Sequence, residues 1–409
     1  MAGFKTARLV DIAEVKGGKR LPANANLVST PTSHPYIRGR DIRDGKITFD
    51  DPMYVLDDDF EKIRRYTVDS GDVCITIVGN IGDVGITPPN LHRASLTENA
   101  VKLVNLREDF DARFLMYALL TPEAQSQMKL SAAGAAQPKL GIYKVNEINV
   151  PVPPLPVQRR IAGILSAYDE LMENNQRRIR LLEAMARALY REWFVHFRFP
   201  GHEKLPRVAS PLGDIPKGWE VKPFTDIADV LSGGTPKTDV AEYWDGEIPF
   251  FTPRDVPDCF YVQDTDKHTN ELGLSKCASE LYPPDTVFIT ARGTVGKVAL
   301  PSVPMAMNQS CYALRGKPGI PQRFLFLMTL QQVDYLKTNT GGATFDTIVV
   351  DTFRRMEVVK PAREIAARFA KKTDAIFEQV NTLQRQIQNL RRTRDLLLPR
   401  LLSGQVNVT

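Results

Sequence analysis

Cysteine is scarce and scattered. The four residues Cys74, Cys259, Cys277 and Cys311 form no CxxC pair, which excludes zinc ribbons and thioredoxin-like redox sites and points to reduced thiols, as in a cytoplasm. Histidine is equally sparse, and no HExxH occurs among the five, so the helix-borne zinc site of metalloproteases is excluded. No apolar run approaches the ~18 residues of a membrane-spanning helix. The opening stretch MAGFKTARLVDIAEVKGGKR has no apolar core of the signal-peptide kind. Phosphate-binding loops are also missing. GGTPKT (233–238) lacks the P-loop spacing, and the glycines of GNIGDVG (79–85) do not open a long helix as a dinucleotide site requires. Acid-x-Lys triplets at Glu14-Lys16, Asp44-Lys46 and Glu220-Lys222 are of the type found in nucleases. A chain with 48 acidic and 53 basic residues produces such triplets by chance, and no catalytic role is read into them.

What is present is a repeat. DIAEVKGG (11–18) returns as DIADVLSGG (226–234). The echo continues. HPYIRGRDIRDGKI (34–47) matches IPFFTPRDVPDCFY (248–261), placing Arg40-Asp41 over Arg254-Asp255. DVCITIVGNIGDVGI (72–86) matches TVFITARGTVGKVAL (286–300), with Gly79 and Gly82 over Gly293 and Gly296. FLMYALL (114–120) matches FLFLMTL (324–330), and residues 131–140 weakly match 339–348. A recurrence across half the chain is far longer than the ~20–50-residue period of solenoid repeats. It implies two copies of one globule. The β-branched runs bounded by Gly and Pro read as strands. DARFLMYALLTPEAQSQMKL and PQRFLFLMTLQQVDYL read as helices with an apolar face. Each copy is therefore expected to be an α+β globule with mostly antiparallel strands.

A long helix is expected after each globule. Across 158–197 a 4-3 spacing links Ile161, Leu165, Tyr168, Met172, Asn175, Ile179, Leu182, Ala186, Leu189 and Trp193. Asn175 is the polar exception, a register-fixing candidate. Across 363–398 the seam is Phe369, Thr373, Ile376, Val380, Leu383, Ile387, Leu390, Arg394 and Leu397, with Pro361 before it and Pro399 as its stop. Arg177, Arg178, Glu183, Arg385 and Arg391 fall off these seams and read as solvated. Connectivity makes the helices an antiparallel intramolecular coiled coil if they pair within the chain. At about 1.5 Å per residue such a helix is a ruler of ~54 Å. The net charge of +5 adds only a mild bias toward polyanions.

INVPVPPLPVQRRIAGIL (148–165), LRRTRDLLLPRLLSGQV (390–406), GWEVKPFTDIADVLSGGTPKTDVAEYWDGEIPFFTPRDV and ITARGTVGKVAL together resemble type I restriction-modification specificity (S) subunits. The second helix departs from the pattern: EVVKPAREIAARFA stands where the first has its PPLPVQ entry. The first globule lacks YWDGEIPF, so the two globules are expected to read different half-sites. The resemblance implies target recognition domain 1 at 1–156, a central conserved helix at 157–198, a linker and target recognition domain 2 at 199–361, and a C-terminal conserved helix and tail at 362–409. It implies a non-catalytic subunit that reads a bipartite, asymmetric target on double-stranded DNA. Two methyltransferase (M) subunits and restriction (R) subunits would be its partners, with S-adenosylmethionine, ATP and Mg2+ used by them and no cofactor or metal in this chain. No membrane association is expected, and the location is cytoplasmic.

Reading DNA needs Arg, Lys, Asn or Gln on exposed loops. The candidates are Lys16, Lys19, Arg20, Arg38, Arg40, Arg43, Asn80 and Asn99 in the first globule, and Lys237, Thr252, Arg254, Arg292, Lys297 and Gln309 in the second. Arg40 and Arg254 stand out because the repeat aligns them, although Asp41 and Asp255 beside them could make them structural. Tyr243 and Trp244 read as core rather than as stacking platforms. The alternative is a non-catalytic adaptor carrying two protein-binding heads on a coiled coil.

Overall fold

The structure is a computed structural model that describes residues 4–133, 138–339, 347–406 and Val408. Of the weakly matching stretches at 131–140 and 339–348, residues 134–137 and 340–346 lie outside these. The chain divides into two compact units: residues 1–170 with 390–409, and residues 171–389.

Unit 1 is built on strands β1 (Thr6–Arg8), β2 (Glu14–Gly17), β3 (Tyr36–Ile37), β4 (Ile42–Arg43), β5 (Gly45–Ile47), β6 (Val73–Thr76), β7 (Val84–Ile86), β8 (Ser95–Leu96), β9 (Ala100–Val104) and β10 (Asn149–Pro151). Six of them form a sheet ordered β2-β9-β6-β7-β5-β4, antiparallel except where β5 runs parallel to β7. β3 pairs with β8 in parallel, and β1 with β10 antiparallel. The central strand β6, VCIT, is buried along its whole length, as its unbroken apolar run requires. Helices α1 (Asp57–Ile63), α2 (Ala112–Leu119), α3 (Pro122–Ala132) and α4 (Ile142–Asn146) complete the domain. The stretch read as one helix from 111 is two. Thr121 caps a new helix by accepting from the Ala124 N–H, and Pro122 sits in its first turn.

The two long helices are α5 (Leu155–Tyr190) and, after four shorter helices of unit 2, α10 (Arg363–Leu402). α5 starts earlier than expected because Pro156 is tolerated in a first turn. It continues into a π-helical turn, Arg191–Val195. α10 runs through Pro399 rather than ending there. The leucines around that proline, Leu398, Leu401 and Leu402, are buried against Ile161 and Leu165 in unit 1. That packing outweighs the single backbone hydrogen bond a proline removes.

Unit 2 opens with a short pair, β11 (Arg207–Val208) and β12 (Ile215–Pro216). Strands β13 (Glu220–Pro223), β14 (Ala228–Ser232), β15 (Ile248–Phe251), β16 (Tyr261–Val262), β17 (His268–Thr269), β18 (Val287–Thr290), β19 (Val298–Pro301), β20 (Ala306–Met307), β21 (Cys311–Gly316) and β22 (Glu357–Lys360) follow. The main sheet is ordered β14-β21-β18-β19-β16, with β16 parallel to β19. This is the unit 1 order strand for strand, from β2-β9-β6-β7-β5. β15 and β20 repeat the parallel β3–β8 pair, and β13 and β22 repeat β1 and β10. Helices α6 (Phe224–Ile227), α7 (Glu271–Ser275), α8 (Gln322–Asn339) and α9 (Val350–Arg355) complete the unit.

Both units pack a stretch of α5 antiparallel to a stretch of α10. In unit 2 the Asn175 side-chain amide donates to Gln386 (3.3 Å), while Trp193, in the π-helical turn that continues α5, meets Phe369, earlier on α10. In unit 1 Arg394 is bound to Asp169 at 2.6 Å, and the Tyr117 hydroxyl donates to the same carboxylate at 2.5 Å. Among the seam residues Ile161, Leu165, Asn175, Ile179, Phe369, Val380 and Leu383 are buried. Tyr168, Met172, Leu182, Leu189, Ile376, Ile387, Leu390 and Leu397 are half-buried. The stripe on α10 is wider than a two-position seam: Phe377, next to Ile376, is fully buried against Phe260 and Phe326.

Glu183 corrects the expectation of a solvated face. It is 8% exposed, and its carboxylate accepts the Phe260 backbone N–H at 2.6 Å. Burial pushes its pKa up from 4.5 to about 7, against the opposing pull of that N–H and of Arg187.

Candidate nucleic-acid interface

Four loops meet at one end of each sheet, and the same backbone hydrogen bonds tie them in both units. Gly18 donates to Ala100 (3.0 Å), as Gly233 does to Cys311 (3.3 Å). Ile77 donates to Asn99 (2.8 Å), as Ala291 does to Ser310 (2.7 Å). Thr97 donates to Ile37 (3.1 Å), as Asn308 does to Phe251 (2.9 Å). The Thr76 hydroxyl donates to the Asn80 carbonyl and accepts from the Asp83 N–H; Thr290 does the same with Thr294 and Lys297. These contacts fix the register. Gly18 falls on Gly233, Arg20 on Thr235, Glu98 on Gln309, and Asp83 on Lys297.

The glycines explain why the frame is shared. A Cβ on Gly18 would lie 2.0 Å from the Thr97 carbonyl oxygen, and one on Gly233 would lie 2.0 Å from that of Asn308. Gly79 and Gly293 hold φ of 80° and 77° at the turn after the central strand, a region that favours glycine.

The aligned Arg-Asp pairs have a structural half. The Asp41 carboxylate accepts the Arg38 N–H (2.8 Å) and grips the Arg38 guanidinium at 3.0 and 2.9 Å. Asp255 accepts the Thr252 N–H (2.7 Å) and hydroxyl (2.6 Å). Arg38 also binds Asp51, and its side chain is only 17% exposed. Arg38 and Thr252 are thus committed to holding their turns. The exposed partners differ: Arg40 is paired with Asp51, whereas Arg254 has no ion pair among the described residues.

The other candidates divide by location. Lys19 lies over the Tyr66 ring at 5.6 Å, and Arg20 is bound to Glu98 at 2.8 Å. Burial disfavours the Glu98 carboxylate, but Arg20 and Thr97 hold its pKa below the ordinary value. Asn80 is exposed on the glycine turn, and Asn99 is half-buried beside Glu98. In unit 2 Arg292 and Lys297 are exposed on the matching turn, and Gln309 is exposed with its side-chain oxygen accepting the Thr235 hydroxyl. Lys19, Arg20, Arg40, Asn80 and Asn99 therefore share one loop cluster, and Arg254, Arg292, Lys297 and Gln309 share its counterpart. Lys16 lies within β2, paired with Glu14 at 3.0 Å, and Arg43 lies on β4. Lys237 is exposed on the loop whose carbonyl receives the Trp244 indole N–H (3.0 Å). Trp244 is half-buried against Phe250 at 5.0 Å, a packing role. Sequence reasoning missed Thr235 and Glu98; the Gly18/Gly233 register is the signal that reveals them.

Chemistry is sparse around these loops. Glu14-Lys16 and Glu220-Lys222 are neighbours on one strand face, paired at 3.0 and 3.6 Å. Among the described residues no three His, Cys, Asp or Glu side chains are placed to hold a metal ion. Burial pushes the Cys74, Cys259 and Cys311 thiols up to about 12, so they are not nucleophiles at neutral pH. No helix among the described residues is long and apolar enough to cross a membrane.

A frame used twice with different exposed polar side chains on its loops is the arrangement of a recognition module. Comparison with known proteins gives the class a name: the chain belongs to the type I restriction modification DNA specificity domain family, whose model matches residues 1–184 and 216–392. It is accordingly a DNA-recognition subunit and not itself an enzyme. The chain is similar to the type I restriction enzyme HindI specificity subunit of Haemophilus influenzae, 25% identical over 355 residues, covering 72% of this chain and 77% of that one. It is 32% identical over 165 residues to the type I restriction enzyme MjaIX specificity subunit of Methanocaldococcus jannaschii, covering 39% of this chain and 38% of that one. The crystal structure of a type I restriction-modification S subunit from M. genitalium shares the fold, with a TM-score of 0.60 at 15% identity over 100% of this chain and 97% of that one.

Proposed function

We propose that the chain reads a bipartite, asymmetric sequence on double-stranded DNA, one half-site per unit, for a complex with two methyltransferase subunits and, in its restricting form, restriction subunits. The observation that carries this reading is the pair of loop clusters: one hydrogen-bonded frame used twice, with different exposed polar side chains each time. S-adenosylmethionine, ATP and Mg2+ serve the partners, and the complex works in the cytoplasm. Each well-read base pair contributes roughly 1–3 kcal/mol, so a second reading surface adds discrimination that one half-site lacks.

Duplex binding by the chain together with its methyltransferase partner tests this, measured by gel shift across salt concentrations. Phosphate contacts from the exposed Lys and Arg side chains make log K fall linearly with log salt, with a slope of roughly −0.9 per contact. Binding should be tightest on duplexes carrying both half-sites and weaker by orders of magnitude on either alone. Affinity independent of DNA sequence at every salt concentration would defeat the reading.

A further inference from the structure

We propose that positions 20/98 in unit 1 and 235/309 in unit 2 are one specificity slot filled with two chemistries, a guanine reader at Arg20 and an adenine reader at Gln309. This inference rests on the reading of the chain as a DNA-recognition subunit, and it assigns bases to two side chains.

The backbone of the slot is the same in both units. Gly18 and Gly233 are pinned by equivalent bonds, and two residues later stand Arg20 and Thr235. Across from them, one residue after Thr97 and Asn308, stand Glu98 and Gln309. In each unit the two side chains bond each other: Arg20 Nε to Glu98 Oε1, and the Thr235 hydroxyl to Gln309 Oε1. The pairing persists while its chemistry changes from an ion pair to a neutral hydrogen bond.

Neither pair is there to hold the fold. The Arg20 side chain is 82% exposed, and such a surface ion pair adds little stability. Glu98 uses the Nε edge, and the two terminal nitrogens of Arg20 have no hydrogen bond among the described residues. A guanidinium oriented this way presents two parallel donors, the complement of guanine O6 and N7 in the major groove. A phosphate-contacting arginine would not be improved by a carboxylate at 2.8 Å, because that carboxylate repels the phosphate. In unit 2 the Thr235 hydroxyl takes one lone pair of Gln309 Oε1. The second lone pair and the amide N–H groups remain. They complement the N6 donor and N7 acceptor of adenine.

The test uses the full chain with its methyltransferase partner. The wild-type target is first read by mapping methylated adenines in cells that express the complex. Arg20→Ala should relax one G·C position in one half-site by roughly 10- to 100-fold, with the other half-site unchanged. The unchanged half serves as an internal control for folding. The double variant Thr235→Arg with Gln309→Glu should convert one A·T position of the other half-site to G·C. An unaltered target in Arg20→Ala would make the pair a mere surface ion pair and overturn the proposal. So would a uniform loss of affinity on all sequences with a salt slope lower by about one, the mark of a phosphate contact. A wild-type complex without sequence preference would instead defeat the parent reading.

Discussion

At the scale of single residues, Glu183 shows how a buried charge escapes a periodicity argument. Its position on α5 is one residue off the 4-3 seam, so spacing assigns it to solvent. What buries it is a non-local backbone group, the Phe260 N–H at 2.6 Å, and nothing in a helical repeat announces that. The carboxyl titrates at about 7 when folded and at 4.5 ordinarily. A raised folded-state pKa means that the native state holds the proton more tightly than the unfolded chain. Its contribution to stability is therefore complete below pH 4.5, is lost as pH rises to about 7, and is constant above. One pKa unit corresponds to about 1.4 kcal/mol, so the ceiling is about 3 kcal/mol. Glu183→Gln keeps the acceptor for Phe260 and removes the titration. In denaturant melts the variant should match the wild type near pH 4.5 and exceed it by about 1–3 kcal/mol at pH 8. Parallel profiles for the two proteins would show that Glu183 is ionised in the fold.

At the scale of elements, the sequence showed strands through their β-branched runs and showed the recurrence of GG, Arg-Asp and Gly-xx-Gly motifs. It did not show register. The motif beginning at Asp11 and Asp226 says nothing of which residues face it across the loop, and it is the shared bonds that set Gly18 with Gly233 opposite Ala100 and Cys311, and Lys19 with Gly234 opposite Leu96 and Met307. The partners of Arg20 and Thr235, Glu98 and Gln309, come from a distant loop and become visible only through those bonds. Helix ends were also misjudged where packing outweighs local punctuation, as at Pro399, while Thr121-Pro122 divides a helix that looked continuous. The two kinds of glycine that recur in both units should respond differently to alanine. Gly79 has no atom near its missing Cβ, so Gly79→Ala meets only the backbone cost of its positive φ, about 1 kcal/mol. Gly18→Ala drives a Cβ into a carbonyl at 2.0 Å and must push the end of β2 away from the main chain of Leu96 and Thr97, at a cost of about 3 kcal/mol. Comparing the denaturation midpoints of the two variants checks this ordering; equal losses would mean that the β2 edge is loose enough to absorb the clash.

At the scale of the whole chain, duplication was the most legible feature, because strand order follows from the repeated blocks and each block recurs in sequence. Which exposed side chains read bases was far less legible, since a reading residue looks the same in sequence as any solvated lysine or arginine. Arg38 illustrates the difference. It stood beside Arg40 among the candidates, but the Asp41 and Asp51 carboxylates hold it in place. If each unit reads by itself, exchanging residues 1–156 for the corresponding domain of a relative should alter one half of the methylated sequence and preserve the other. Sequencing of methylated adenines in cells carrying the hybrid measures both halves at once. A hybrid that changes both halves would show that the two loop clusters do not act independently.

The split between framework and side chain has a consequence for how such a protein changes over time. Most of the bonds that define each loop cluster run through main-chain atoms, glycines and one buried threonine, whereas exposed variable groups such as Arg20 and Gln309 project from that frame and contribute little to holding it. Substitution at the variable positions is then nearly neutral for folding. Lineages can drift from one target to another through stable intermediates, without the loss of stability that commonly accompanies a new activity.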